Sequence, residues 1–282
     1  MTSNSEKIYK SSDDDSGADP KPKPDPKSFS QKDIEMSKKF VPQPGGAFTD
    51  ANVRSDFVKK VYAILSAQIA VTAVIALLVL TFLKDKVNFK QLNADNDRNG
   101  YIIVLIVMVV SIAVTIAVMC TFCFSKTARR AVPLNYILLI VFTIAQTALV
   151  SIICCQYGGT SIIIAFVATG VVVVSITLLA MTPFFDITHC GCVLFILTII
   201  HGFVLLIGFL LVWLLNLDVR TWEIVVGTLG AFLFSLWLLY DTQIILGGKK
   251  YELSPEEYIF GAISLYIDII QIFLSILQIV GH

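Results

Sequence analysis

The stretch CVLFILTIIHGFVLLIGFLLVWLLN, residues 192–216, contains no Asp, Glu, Lys or Arg. An α-helix rises about 1.5 Å per residue, so roughly 20 consecutive apolar residues cross the hydrocarbon core of a bilayer. This stretch is long enough and apolar enough to do so. It predicts a helix that spans a membrane.

Six further segments of the same kind occur in the chain. Of its 282 residues, 56% are hydrophobic and only 15% are charged, which is more apolar than a soluble domain can cover with polar groups. The sequence therefore predicts an all-α membrane protein, a seven-helix transmembrane bundle within residues 51–282. The expected spans are about 57–83, 101–124, 134–155, 161–181, 192–216, 223–246 and 256–280.

Residues 1–50 have a different composition and are predicted to form a disordered tail. Three aspartates stand at 13–15, and prolines alternate with charged residues in the run PKPKPDP at 20–26. Such a segment buries too little apolar area to fold and favours polyproline II stretches. It is either a solvated tail or a docking site for an SH3 or WW domain or a trafficking adaptor.

Basic residues near the ends of the spans predict the orientation. They cluster before span 1, between spans 2 and 3, and between spans 6 and 7, which all fall on one side of the membrane. The positive-inside rule then places the N-terminal tail in the cytosol and the C-terminus on the other side. The net charge is zero and no basic stripe with interleaved aromatics is present, so nucleic-acid binding is disfavoured.

Two acidic side chains, Asp241 in span 6 and Asp268 in span 7, lie well inside apolar segments. A carboxylate in hydrocarbon costs several kcal/mol, so an acid at this depth indicates a functional site. Facing carboxyls can share a proton or bind a cation. Counting from the connection between the spans, straight helices would separate the two groups by roughly 10 Å in depth. The alternative is two independent neutral acids bonded to backbone carbonyls.

Other polar residues are candidates for supporting roles. Arg129 and Arg130 either hold the acidic pair closed as a latch or anchor the bundle in water. His201, Gln243 and Gln271 either line the cavity of the aspartates or bond neighbouring helices. The segment Ser254-Pro255-Glu256-Glu257 predicts a capping box at the start of span 7.

The sequence lacks the common motifs of nucleotide-binding, zinc-protease and hydrolase sites. No phosphate-binding loop, dinucleotide fingerprint, metalloprotease helix or nucleophile elbow occurs in a suitable context. The six cysteines lie in or beside apolar runs, where a disulfide framework is not expected and where their spacing fits no strong zinc pattern. We expect a protein that is not an enzyme and has no cofactor.

Three sets of residues resemble the transmembrane Bax-inhibitor-motif family. The C-terminal set is Leu-Tyr-Asp-Thr-Gln at 239–243, Ser-Pro-Glu-Glu-Tyr at 254–258 and Leu-Tyr-Ile-Asp-Ile-Ile at 265–270. The others are RRAVPLN at 129–135 and VRSDFVKKVY at 53–62. The resemblance covers about residues 53–282, and the proline-bearing tail indicates the Lifeguard branch, which includes the NMDA-receptor-associated, glutamate-binding-subunit-like proteins.

The resemblance implies a bundle whose last helix is central. It also implies a pH-sensitive calcium leak across endoplasmic reticulum or Golgi membranes, and suppression of apoptosis. The family's di-aspartyl sensor corresponds to Asp241 and Asp268, which would hold calcium transiently as the transported ion. Its arginine latch corresponds to Arg129 or Arg130.

Two other classes of function remain open from the residues alone. A membrane adaptor that binds receptors or apoptotic regulators would use the tail, with the acids merely structural. An intramembrane aspartyl protease also carries two acids on adjacent spans, and Tyr240-Asp241 matches its first motif. Its second motif needs Gly-x-Gly-Asp, whereas this chain has Leu-Tyr-Ile-Asp at 265–268.

Overall fold

The computed structural model describes residues 51–94, 97–182, 186–215, 218–248 and 251–281. The predicted tail at 1–50, and with it any SH3, WW or adaptor motif, lies outside these residues. Seven of the described helices are long and apolar enough to cross a membrane, as predicted. They are α1 (Ala51–Phe82), α2 (Arg98–Phe124), α3 (Leu134–Cys155), α4 (Gly159–Ala180), α5 (Gly191–Leu215), α6 (Val219–Leu246) and α7 (Tyr258–Val280).

Polar residues that bond the helix termini determine several of these bounds. Asp97 accepts a hydrogen bond from the Gly100 N–H at 3.0 Å, so α2 begins at Arg98, before its apolar run. Asp218 caps α6 in the same way, accepting from the Thr221 N–H at 3.0 Å. These side chains satisfy amide groups that have no partner inside their helix.

The predicted capping box before α7 does not form. The Ser254 side chain makes no capping hydrogen bond, and residues Pro255–Glu257 form a single 3₁₀ turn. The α-helix itself begins only at Tyr258. Glu257 does not reach back to the Ser254 backbone because its carboxylate is engaged by arginines, as described below.

Hydroxyl residues inside the spans are largely satisfied within their own helix. Thr143, Thr169 and Ser151 each donate to the carbonyl four residues earlier, at 2.7 Å in all three cases. This arrangement keeps polar groups bonded where no water is present. These residues therefore lie in apolar spans without an unmet hydrogen bond.

The last helix, α7, is the centre of the described bundle. It packs against α6 most extensively, and also against α4, α1 and α3. Tyr266, Ile263 and Ile272 on α7 are completely buried, and more of α7 is buried than of any other span. The fold class predicted from the sequence, including the central last helix, is confirmed.

The outer helices present their apolar side chains outward. On α5, for example, Phe209 is 71% and Leu206 is 66% exposed. In a bilayer such surfaces contact lipid tails. The end of the bundle where α1 begins, which also carries the α2–α3 and α6–α7 connections, is called the proximal end below, and the opposite end is called the distal end.

Candidate functional site

The structure brings Asp241 of α6 and Asp268 of α7 together. Their carboxyl groups are hydrogen-bonding partners, and the Asp241 carboxyl also bonds the side chain of Ser264. Asp268 is only 5% exposed, and Asp241 is half-buried. A carboxylate can only accept, so a hydrogen bond between two carboxyl groups requires one proton between them.

Glycines on α6 allow the close packing that makes this contact. A Cβ added to Gly227 would lie 2.8 Å from the Ser275 carbonyl oxygen, and one added to Gly230 would lie 2.7 Å from the Ser275 hydroxyl. Small residues of this kind let the backbones of membrane helices approach each other. The α6–α7 interface is therefore tight at its distal half.

The same contacts define the register of the two antiparallel helices. Gly230 lies opposite Ser275, and Ile245 lies against Gly261. This register places Asp241 opposite Ser264, one helical turn from Asp268. The depth difference is therefore about 6 Å rather than the roughly 10 Å estimated from straight spans, because α7 becomes α-helical only at Tyr258. Carboxyl side chains reaching toward each other close that gap.

An apolar layer lies on the proximal side of the acidic pair. Val61 and Ile245 are each completely buried. Val61 of α1 and Ile245 of α6 meet at Gly261 on α7, where an added Cβ would lie 3.6 Å from Val61 Cγ2. The layer therefore separates the two aspartates from the proximal end.

The structure pairs the two candidate latch arginines with glutamates rather than with the aspartates. Arg129 lies 3.9 Å and Arg130 lies 3.4 Å from Oε1 of Glu257, and Arg130 also lies 3.6 Å from Glu256. The Arg129 guanidinium stacks on the Phe260 ring at 4.4 Å and donates to the carbonyl oxygens of residues 122 and 123. These contacts hold the first turn of α7 in place.

A third arginine, Arg54, holds the α6–α7 connection from another side. Arg54 of α1 lies 3.4 Å from Glu252, and its guanidinium packs over Gly247 and Gly248, which have φ values of 68° and 74°. Only glycine adopts such backbone conformations readily. The sequence analysis did not predict the ion pairs made by Arg54, Glu252 and Glu257. Their opposite charges at the same end of the predicted bundle could have indicated such pairs.

Two of the other candidate residues, Gln243 and His201, make contacts elsewhere in the bundle. The Gln243 carbonyl oxygen accepts from the Ile187 N–H at 3.0 Å, which ties the α4–α5 connection to α6. His201 packs edge-on against Phe234 at 6.3 Å and lies beside Gly230, about 16 Å along α6 from Asp241. Gln271 is half-buried on α7, one turn beyond Asp268.

A network of polar side chains joins α1, α3 and α7. The Thr72 hydroxyl lies 3.0 Å from the Thr147 hydroxyl and 2.7 Å from the Tyr266 hydroxyl. One turn away, Gln68 donates to Thr143 at 2.9 Å. Hydrogen bonds across membrane helices stabilise their register, so this network fixes α7 on the face opposite the aspartates.

The acidic pair has an unused acceptor. Asp268 Oδ2 is buried and has no hydrogen-bond partner. Buried acceptors are usually satisfied, so this oxygen is suited to a proton, a water or a cation. Within the described ranges, no group of three or more His, Cys, Asp or Glu residues is arranged to hold a metal ion. The site can therefore offer a passing cation two carboxyl groups but not a closed cage.

These features define a class: a multi-pass integral membrane protein whose described residues include seven membrane-spanning helices, with a carboxyl pair between the last two. The family model described as "Inhibitor of apoptosis-promoting Bax1" matches residues 54–282. The chain therefore belongs to the Bax-inhibitor family, as its motifs indicated.

Its relatives include proteins of the Lifeguard group. The chain is 35% identical to "Protein lifeguard 3" of Mus musculus over 84% of its own length and 72% of that protein. It is 34% identical to "Protein lifeguard 3" of Homo sapiens, over 84% and 71%. It is 32% identical to "Protein lifeguard 4" of Mus musculus, over 82% and 87%. The predicted resemblance to this group is confirmed.

Proposed function

We propose that the protein is a pH-sensitive calcium leak of intracellular membranes, in the endoplasmic reticulum, the Golgi or both. By lowering store calcium it suppresses apoptosis, in agreement with the description of its family. The observation that carries the proposal is the contact between the Asp241 and Asp268 carboxyl groups inside the bundle.

In the closed form, the two carboxyl groups share a proton, and the layer formed by Val61 and Ile245 at Gly261 blocks the proximal side. Loss of the proton leaves two negative charges in a low-dielectric site, where their repulsion is strong. A Ca²⁺ ion relieves that repulsion because it prefers carboxylate oxygens as ligands. Proton loss thus favours both separation of α6 from α7 and entry of the cation.

Basic residues at the proximal end support the orientation that we propose. Arg54, Arg129 and Arg130 all lie there, together with the start of α1. In our proposal this end and the N-terminus face the cytosol, in keeping with the positive-inside rule. The proton that closes the leak is then exchanged with the cytosol once the apolar layer opens.

Calcium flux in vesicles reconstituted with the full chain tests the proposal. Wild-type flux should rise as the pH on the proximal side is raised. Asp241→Asn and Asp268→Asn should each remove this pH dependence, because the amide N–H donates to the remaining carboxylate and the contact then needs no shared proton. Asp218→Asn is the matched control, since it changes an exposed acid at the distal end and keeps a helix-capping residue. Unchanged pH dependence in both aspartate variants would refute the sensor.

A regulatory adaptor is the second candidate, because the family description names action on another protein. Deletion of residues 1–50 distinguishes the two functions: a leak keeps its flux, whereas an adaptor that binds through the tail loses its partners.

We propose that the protein is not an enzyme. A protease needs open backbone beside its second acid, but Leu265 and Tyr266 are buried at 1% and 0% exposure. Cleavage of a transmembrane peptide by purified protein, lost in Asp268→Ala, would contradict this view.

A further inference from the structure

A cavity of about 760 Å³ lies between α1, α2 and α3 in the distal half of the bundle, on the side away from the acidic pair. Its volume falls within the roughly 300–1,000 Å³ typical of ligand sites. Its wall is largely aliphatic and includes Ile75, Val79, Ile103, Val107, Ile144 and Ile152.

The cavity has the depth and the opening expected for an acyl chain. Along α1 it extends from Ile75 to Leu83, the residue that follows the helix, which is a distance of about 12 Å. One leaflet of a bilayer core is about 15 Å thick, so the cavity stays within the distal leaflet. Ile103 and Ile144 on its wall are 60% and 65% exposed, so a lipid tail can enter sideways from the membrane.

The hydroxyl groups in the wall need no hydrogen-bond partner from a ligand. Ser151 donates to the Thr147 carbonyl at 2.7 Å, and the Thr147 hydroxyl lies 3.0 Å from Thr72. Their hydrogen bonds are already made within the protein. Burying the polar part of a ligand beside them would cost free energy with little return, whereas an apolar chain is accommodated readily.

The charges at the cavity mouth are of opposite sign. Lys86 and Asp97 both line the cavity, and both are exposed. Neither takes part in a salt bridge in the described part of the chain. Asp97 is held in place by the hydrogen bond from the Gly100 N–H at 3.0 Å. A zwitterionic headgroup matches this pair, with its phosphate at Lys86 and its amine at Asp97.

The lining also distinguishes between the two common zwitterionic headgroups. A quaternary ammonium is recognised mainly by aromatic faces, and none of the described residues that line this cavity is aromatic. A primary ammonium instead donates hydrogen bonds to a carboxylate. Asp97 therefore suits ethanolamine better than choline.

We propose that the cavity between α1, α2 and α3 binds one phosphatidylethanolamine molecule of the distal leaflet, with Lys86 on the phosphate and Asp97 on the amine. This proposal depends only on the membrane location of the chain and not on the calcium leak.

The test uses the full chain, purified in detergent and stripped of lipid. Phosphatidylethanolamine or phosphatidylcholine with identical acyl chains is added, and binding is followed by native mass spectrometry and by the rise in melting temperature. We expect saturable binding of one phosphatidylethanolamine, about fivefold tighter than phosphatidylcholine, which corresponds to the upper range for an exposed ion pair.

Four variants assign the contacts. Asp97→Asn should abolish the preference between headgroups while it keeps the helix cap. Lys86→Gln should weaken both lipids by a similar factor, because both carry the phosphate. Ala148→Phe, which fills the cavity, should prevent binding of either lipid. Asp85→Asn, beside the mouth but not in the wall, should change nothing.

Three results would each overturn the proposal. The first is equal affinity of the wild-type protein for the two lipids. The second is a headgroup preference that persists in Asp97→Asn. The third is binding that never saturates, which would indicate only bulk lipid around the bundle.

Discussion

Glu257 connects the first turn of α7 to the α2–α3 connection, and its replacement by Gln should destabilise the bundle. One carboxylate oxygen of Glu257 serves both Arg129 at 3.9 Å and Arg130 at 3.4 Å. The variant keeps the size of the side chain but removes its charge. It leaves two guanidinium groups without their shared anion, and only Arg129 retains carbonyl and ring contacts.

Burial determines the size of the effect. The Glu257 side chain is 9% exposed, while Arg129 and Arg130 are 21% and 44% exposed. Exposed ion pairs contribute about 0–1 kcal/mol, and breaking a fully buried pair costs about 3–5 kcal/mol. A half-screened pair with one buried partner lies between these limits. We expect a loss of about 2 kcal/mol, or roughly 30-fold in the unfolding equilibrium.

The neighbouring residue provides a matched control. Glu256 also pairs with Arg130, at 3.6 Å, but its side chain is 68% exposed. Glu256→Gln should therefore cost less than about 0.5 kcal/mol, and salt should screen its effect. Reversible unfolding of both variants in mixed micelles, at low and high salt, measures the difference. Equal losses in the two variants, or a Glu257→Gln effect that high salt removes, would refute this account.

Three further predictions concern the ends of α6 and α7. Gly247→Ala should lower the free energy of unfolding by about 1–3 kcal/mol, because φ is 68° and the new Cβ would lie 2.8 Å from the Arg54 guanidinium. Thermal unfolding measures this loss, and an unchanged melting temperature would contradict the prediction. Arg220 donates to the backbone carbonyls of residues 278, 279 and 281 at the end of α7. Arg220→Lys cannot reproduce this fork, so amide exchange in the last turn of α7 should accelerate while the first turn is unaffected. Hydrogen bonds from the Thr221 hydroxyl, and then from backbone N–H groups, hold the pKa of Asp218 below its usual range. The stability that this carboxylate contributes is present at neutral pH and is lost as pH falls through the lowered pKa, so Asp218→Asn should flatten that acid-side decline.

Hydropathy predicted the spans well because each helix by itself must be long and apolar enough to cross the hydrocarbon core of the bilayer. Span 3 was predicted at 134–155, and α3 is Leu134–Cys155. The errors occur where polar residues extend a helix into the interface. The predicted sixth span began at 223, whereas α6 begins at Val219, because Asp218 caps it and Arg220 is bonded to the end of α7. Apolar run length carries no information about such bonds.

The site was less predictable because it depends on contacts between helices. Asp241 and Asp268 could be identified from the sequence because placing a carboxyl group in the bilayer core is unfavourable in free energy, and acids are rare there. The partner of Arg129 and Arg130 was not, because Glu257 was assigned to a local capping box. The structure instead uses it over a long sequence separation. A local motif and a tertiary ion pair compete for the same carboxylate, and here the tertiary contact takes it.

The contact between the aspartates depends on residues more than two helical turns away from them. Gly227 and Gly230 leave no room for a side chain against Ser275, so they set how closely α6 and α7 approach. Their register then places Asp241 one turn from Asp268, within reach of a shared hydrogen bond. In the proposed leak, widening this interface separates the carboxyl groups, and negative charge on both of them favours that separation. Under that proposal the acid pair and the two glycines act as one coupled element, in which protonation and helix separation oppose each other.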